Sequence, residues 1–131
     1  MQNNGIPDQI EMHHEIPKFI INDEVVRLFR AVCADEFYSI MESKQFALPP
    51  NMTTHVKYYG VDYNETVAFA NLIQFIDIVA VVEVGVPLST LLQIGDFTHV
   101  DTFLFKSGTV IIHSENLADF NKSIQYIEHK L

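Results

Sequence analysis

The stretch Val26-Arg-Leu-Phe-Arg-Ala-Val-Cys33 places an arginine inside an apolar run of the kind that forms a buried β-strand. Two acidic residues, Asp35 and Glu36, come shortly after it, where the first turn of a helix favours negative charge. Phe37, Ile40 and Met41 then recur at helical spacing. The sequence therefore predicts a strand followed at once by a helix as the first structural unit of the domain.

Arg30, inside this strand, is the main candidate for a functional residue. A buried guanidinium is costly unless an anion or a set of carbonyl oxygens receives its five donors. The partner could be the phosphate of a ligand. It could equally be an internal carboxylate, for which Asp77 and Glu83 are the candidates.

The composition is that of one globular domain with an acidic surface. A chain of 131 residues with 48% hydrophobic and 19% charged residues can bury a core of its own. Seventeen acidic against eight basic residues give a formal charge of −9, which disfavours nucleic acid and anionic membranes as partners and is compatible with a basic protein partner. The single cysteine excludes an internal disulfide. With no export signal or long apolar run, a soluble protein is expected, in the cytoplasm or delivered into a target cell without a Sec signal.

The remaining pattern divides the chain into an arm and one domain. Residues 1–22 are polar, contain two prolines and show no period, which predicts an irregular N-terminal arm. Residues 23–131 contain the periodic segments. Their predicted order is strand, helix, strand, helix, strand, hairpin and helix, which indicates an α+β fold with a mixed or antiparallel sheet and flanking helices.

The later strands are predicted from short apolar and aromatic runs at 55–59, 76–86, 97–105 and 109–113. Lys106-Ser-Gly108 is typical of a hairpin loop with glycine in the left-handed region. Helices are predicted after an N-cap at Asn64 and over 88–95. A terminal helix is predicted after Ser114, because apolar residues recur there every three or four positions, at Leu117, Phe120, Ile124, Ile127 and Leu131.

Several segments taken in order resemble one protein family. Leu28-Phe-Arg-Ala-Val32, followed by Glu36 and by Lys44-Gln-Phe46, looks like the opening of the small ADP-ribosyltransferase-like domains of bacterial polymorphic toxins. The later segments similar to that family's motifs are Lys57-Tyr-Tyr-Gly60, Glu65-Thr-Val-Ala-Phe-Ala-Asn71, Val81-Val-Glu-Val-Gly-Val-Pro87 and Glu115-Asn-Leu-Ala-Asp-Phe-Asn121. The resemblance implies an ADP-ribosyltransferase-like domain over residues 23–131.

The resemblance also implies a ligand and its binding residues. A protein of this family binds NAD and transfers ADP-ribose to a macromolecule. Arg30 would hold the phosphates of NAD. Tyr58, Tyr59 and Phe69 would offer rings for stacking against nicotinamide.

The catalytic carboxylate is where this chain departs from the family. Active members carry a glutamate in or just before a late strand, and here that place reads Lys106-Ser-Gly-Thr109. The resemblance then leaves Glu115 and Asp101 as the candidate catalytic residues. Either would have to stabilise the positive charge that forms as nicotinamide leaves.

Two other functions fit the same sequence. The chain could be an inactive ADP-ribosyltransferase-like interaction module, or an acidic protein of the immunity or antitoxin type that covers a basic site on a toxin. A metal site is not expected. His13-His14-Glu15 faintly resembles the opening of HNH nucleases, but no matching histidine and asparagine pair follows it.

Overall fold

The arginine-bearing strand lies at the centre of an antiparallel sheet. The structure, a computed structural model, describes residues 25–47, 56–72, 77–97 and 104–130. Within these ranges the sheet has five strands in the order β4-β2-β1-β3-β5, and each pair of neighbours is antiparallel. The elements in chain order are β1 (Val25–Cys33), α1 (Ala34–Ser43), β2 (Val56–Gly60), α2 (Tyr63–Leu72), β3 (Ile78–Pro87), α3 (Leu88–Ile94), β4 (Thr109–His113), a 3-10 turn (Ser114–Asn116), α4 (Leu117–Ser123) and β5 (Tyr126–Lys130).

One face of the sheet carries the main core. Alternate residues of a strand share a face, so Val26, Leu28 and Val32 of β1 point the same way as Arg30, and all three valine and leucine side chains are buried. Three helices supply the other half of this core, through Ile40 of α1, Leu91 of α3 and Leu117 and Phe120 of α4. This face is called the core face below.

The opposite face is covered in part by α2. Tyr63 packs edge-on against Phe29, with ring centroids 5.9 Å apart. Thr66 lies directly over Gly60, where a Cβ would collide with the threonine hydroxyl. The sheet therefore has helices on both sides, and a charged group on one face cannot reach a partner on the other.

Most elements agree with the sequence predictions. The α+β class, the strand followed by a helix, the strand at 76–86 and the short α3 are confirmed. Gly108 has φ 105°, as the predicted loop requires. The predicted arm at 1–22 lies outside the described residues, as do residues 98–103 of the predicted strand at 97–105. Phe97, Leu104 and Phe105 are described and are not part of a strand, and β4 pairs with β2.

The prediction of a helix running to the C-terminus is wrong. α4 ends at Ser123, Ile124 has extended backbone angles of −63° and 127°, and β5 follows. Apolar spacing alone could not distinguish the two outcomes, because Ile127 is also a good strand residue. The backbone groups along the edge of β3 need partners, and β5 supplies them from the Gly85–Tyr126 pair to the Val81–Lys130 pair.

The predicted cap of α2 is also wrong. The helix begins at Tyr63, so the capping position falls on Asp62 and not on Asn64. A carboxylate oxygen of Asp62 accepts a hydrogen bond from the Glu65 amide at 2.9 Å. Both residues are good N-caps, and Asp62 serves because β2 ends two residues before it.

Candidate functional site

Arg30 is bound by Glu36, which α1 places over the core face of β1. Its Nε donates to Glu36 Oε2 at 2.7 Å and its Nη2 to Oε1 at 3.1 Å, which makes the pair bidentate. Its Nη1 donates to the carbonyl oxygen of Tyr58 at 3.1 Å. The internal partner of Arg30 is therefore Glu36, and the expectation that Asp77 or Glu83 would fill this role is wrong.

Local geometry explains the choice of partner. Glu36 lies in the first turn of the helix that directly follows β1, so its carboxylate turns back over the strand it has just left. Glu83 pairs in register with Phe29 and so projects from the opposite face. There its carboxylate accepts a 2.7 Å hydrogen bond from the Tyr126 hydroxyl. Burial and this bond to Glu83 raise the pKa of Tyr126 to about 12.

Lys57 is a second cation on the same carboxylate. Its Nζ donates to Glu36 Oε2 at 2.9 Å, and its side chain is only 3% exposed. Strand alternation explains why it points inward, since Lys57 and Tyr59 share the core face of β2. Arg30, Glu36 and Lys57 thus form a cluster of two positive charges and one negative charge, called the Glu36 cluster below.

The environment of the cluster shifts the pKa values of its three members in different directions. Burial is the largest single influence and would lower the pKa of Arg30, but the hydrogen bonds to Glu36 and nearby negative charge, chiefly that of Glu36, together raise it. Burial alone would raise the pKa of Glu36, but Arg30 and Lys57 hold it below its usual value. Burial and the charge of Arg30 lower the pKa of Lys57. The carboxylate of Glu36 therefore stays ionised. Lys57 is the member of the cluster whose charged form is destabilised by its surroundings.

Tyr59 forms the floor beside the cluster. Its ring centroid lies 6.0 Å from the guanidinium carbon of Arg30, and the ring packs against Phe46 and Phe120 at 5.4 and 5.1 Å. Asn121 holds this floor in place, because its side chain accepts from the Phe46 amide and donates to the Phe46 carbonyl oxygen, both at 2.8 Å. The Tyr59 hydroxyl is buried with no hydrogen-bond partner among the described residues, and burial raises its pKa.

The sheet separates the residues assigned to NAD. Arg30 and Tyr59 share the core face. Tyr58 projects from the opposite face, 45% exposed, and only its backbone carbonyl reaches Arg30. Phe69 belongs to α2 on that opposite face and packs on Phe105 at 5.2 Å.

Glu115, one of the two candidate catalytic carboxylates, is not placed together with Arg30. Glu115 is exposed in the 3-10 turn after β4, which is two strands away from β1. Asp101 lies outside the described residues. A different carboxylate lies at the turn to which the resemblance assigns the family glutamate: Glu65 of α2 accepts hydrogen bonds from the amide and hydroxyl of Ser107, at 3.1 and 2.8 Å. There Glu65 acts as a cap for the turn.

Sequence reasoning missed Glu36 and Lys57 as members of the site, although both carried a signal. Glu36 stands three residues after Cys33, where a helical first turn returns over the strand, and Lys57 alternates with an inward tyrosine. Among the described residues, no group of three or more His, Cys, Asp or Glu side chains is arranged to hold a metal ion, and no helix is long and apolar enough to cross a membrane. A scan against family models and searches of curated proteins and solved structures return no match to this chain.

Proposed function

We propose that this chain is a non-catalytic binding module whose acidic surface engages a positively charged protein. The observation that carries the proposal is the bidentate pairing of Arg30 with Glu36, at 2.7 and 3.1 Å, because it gives the arginine a structural partner. The separation of Tyr58 and Phe69 from Arg30 by the sheet supports it further. The formal charge of −9 supplies the chemistry that would attract a cationic partner.

Binding to a defined cationic probe tests this proposal. Fluorescence anisotropy of a labelled peptide that alternates arginine and leucine is measured against the full chain at low and at high salt. Binding at low salt that weakens as salt rises is expected, since screening reduces attraction between exposed charges. A matched peptide that alternates glutamate and leucine is the control. Equal affinity for the two peptides would contradict the proposal.

A second candidate is the NAD-dependent ADP-ribosyltransferase-like activity. One observation favours it: the Glu36 cluster holds two cations against one carboxylate, and the side chains of Arg30 and Glu36 remain 21% and 20% exposed. A pyrophosphate that displaced Glu36 would find Arg30 and Lys57 already in place. Glu36 would then be a competitor for the same guanidinium.

Calorimetry with NAD separates the two candidates. If NAD binds Arg30, Glu36→Gln should bind NAD more tightly than the wild type, and Arg30→Gln should not bind it. If the cluster is structural, neither the wild type nor Glu36→Gln gives binding heat. Release of nicotinamide by the wild type but not by Arg30→Gln would establish the enzymatic alternative.

A further inference from the structure

We propose that the positively charged partner docks on the sheet face around Tyr58 and Val79, with its cations directed at carboxylates along the adjoining end of the sheet. This inference rests on the proposed function, and it names the surface and the chemistry of the occupant. The surface formed by Ala31, Val56, Tyr58 and Val79 is called the Tyr58 surface.

The Tyr58 surface is an apolar part of the sheet that stays accessible beside α2. Tyr58 is 45% exposed and Val79 is 39% exposed, and both are large hydrophobic side chains. Counting back from the Phe29–Gly60 pair places Tyr58 opposite Ala31, and Ala31 pairs with Val81 on its other side. Val79 follows on the same face by alternation, next to the irregularity between Val32 and Cys33. An exposed tyrosine on such a surface is a typical interface anchor.

Three exposed carboxylates lie at the end of the sheet that this surface adjoins. The end of β1, the start of β3 and the end of β4 lie at the same end of the sheet, because each neighbouring pair is antiparallel. Asp35 follows β1, Asp77 precedes β3 and Glu115 follows β4, and all three side chains are exposed. These three residues are called the acidic rim. An apolar centre with a charged rim is the usual anatomy of a protein interface.

The exposed cations of the described domain lie mainly toward the other end. Arg27 lies near the start of β1, where it pairs with Gly85, and Lys106 precedes β4. Lys122 lies in the last turn of α4, just before β5 begins. Lys130 lies nearer to the rim, where its Nζ stacks over the Tyr63 ring at 4.7 Å. Because few of the exposed cations lie beside the acidic rim, its carboxylates offer an attractive site for a cationic partner.

The occupant that fits is a segment of a basic protein with an apolar side chain between arginines or lysines. Its apolar side chain would cover Tyr58 and Val79, and its cations would lie against Asp35, Asp77 and Glu115. Asp77 precedes β3 and Glu115 follows β4, and β1 and β2 lie between those two strands. A segment that crosses the end of the sheet could therefore contact both carboxylates at once.

The test maps the binding of the arginine–leucine peptide by NMR and by matched variants. Backbone amide shifts of the wild-type chain are followed during titration and are expected to change most around Tyr58, Val79 and the acidic rim. The pair Tyr58→Ser and Val79→Ser is expected to weaken binding about tenfold or more. The control pair Gln45→Ser and Asn64→Ser changes two exposed side chains away from the acidic rim and should change affinity by less than about twofold.

Each outcome decides one of the two claims. Binding by the wild type with shifts elsewhere, or equal losses in the two variant pairs, overturns the Tyr58 surface and leaves the proposed function standing. No binding of the peptide by the wild type overturns the proposed function and the surface with it. Because the shift map uses the wild-type chain, a variant that fails to fold does not prevent the test.

Discussion

At the scale of single residues, the most informative group is Glu36, which neutralises two cations. Replacing one partner in a buried ion pair leaves the other charge uncompensated, which is far more destabilising than losing an exposed pair. This effect should be largest for Lys57, because its side chain is only 3% accessible to solvent and Glu36 is its carboxylate partner among the described residues. Glu36 therefore has a structural role that is independent of any ligand.

Glu36→Gln should lower the free energy of unfolding by about 3 kcal/mol, because Arg30 and Lys57 then stay buried without a countercharge. Urea unfolding at neutral pH measures the change. Glu42→Gln removes an exposed carboxylate from the same helix and should change stability by less than about 0.5 kcal/mol. Similar effects of the two substitutions would show that the Glu36 cluster does not stabilise the fold.

The same variant predicts a specific pH dependence. The pKa of Glu36 is lowered by folding from its ordinary value of 4.5, so its stabilising contribution is present above that value and is lost as pH falls toward the folded pKa. The difference in unfolding free energy between wild type and Glu36→Gln should therefore shrink on acidification. Unfolding curves of both proteins from neutral pH down to about pH 3 measure it. A difference that stays constant with pH would contradict the ionised role of Glu36.

At the scale of elements, the sequence predicted those features that depend on neighbouring residues in the chain. The apolar run of β1, the acidic first turn of α1 and the glycine of the turn before β4 were all readable, because each depends on neighbours in sequence. The identity of β5 was not, since Ile124 and Ile127 fit a helix as well as a strand until the unpaired edge of β3 is known. The partner of Arg30 was missed for a related reason: the two faces of the sheet had not yet been assigned to helices.

The attachment of β5 depends on Gly85. The ring of Tyr126 lies against this glycine so closely that a Cβ there would overlap it, and the hydroxyl of the same tyrosine bonds Glu83. Gly85→Ala should therefore destabilise the protein by about 2 kcal/mol through overpacking. In a Tyr126→Ala background the same change should cost much less. A double-mutant cycle by urea unfolding measures this coupling, and additive effects would show that the two residues do not interact.

At the scale of the whole molecule, the distribution of charge matters more than its sum. The acidic rim collects carboxylates from three elements at one end of the sheet, while Arg27, Lys106 and Lys122 lie toward the other. A net charge of −9 spread evenly would attract any cation without orienting it. The carboxylates of the acidic rim would direct an approaching basic partner to the end of the sheet that the Tyr58 surface adjoins.

Two variants with the same net charge test this orientation. Asp35→Asn with Asp77→Asn removes two rim charges, whereas Glu42→Gln with Glu128→Gln removes two exposed charges elsewhere. The rim pair should slow association of the arginine–leucine peptide several-fold more than the control pair, since steering depends on where the charge lies. Stopped-flow anisotropy at low salt gives the rates. Equal slowing would mean that only the total charge acts.

The strand order has a consequence for how the chain assembles. β1 comes first among the described strands yet lies in the middle of the sheet, and its longest ladder joins it to β3, which begins about 45 residues further along. This distant pairing must close before the edge strands have anything to join, which favours slow folding for a domain of this size. The same order predicts how the native protein opens. Amide hydrogens of β4 and β5 should exchange with solvent first, and those of β1 and β3 should exchange last.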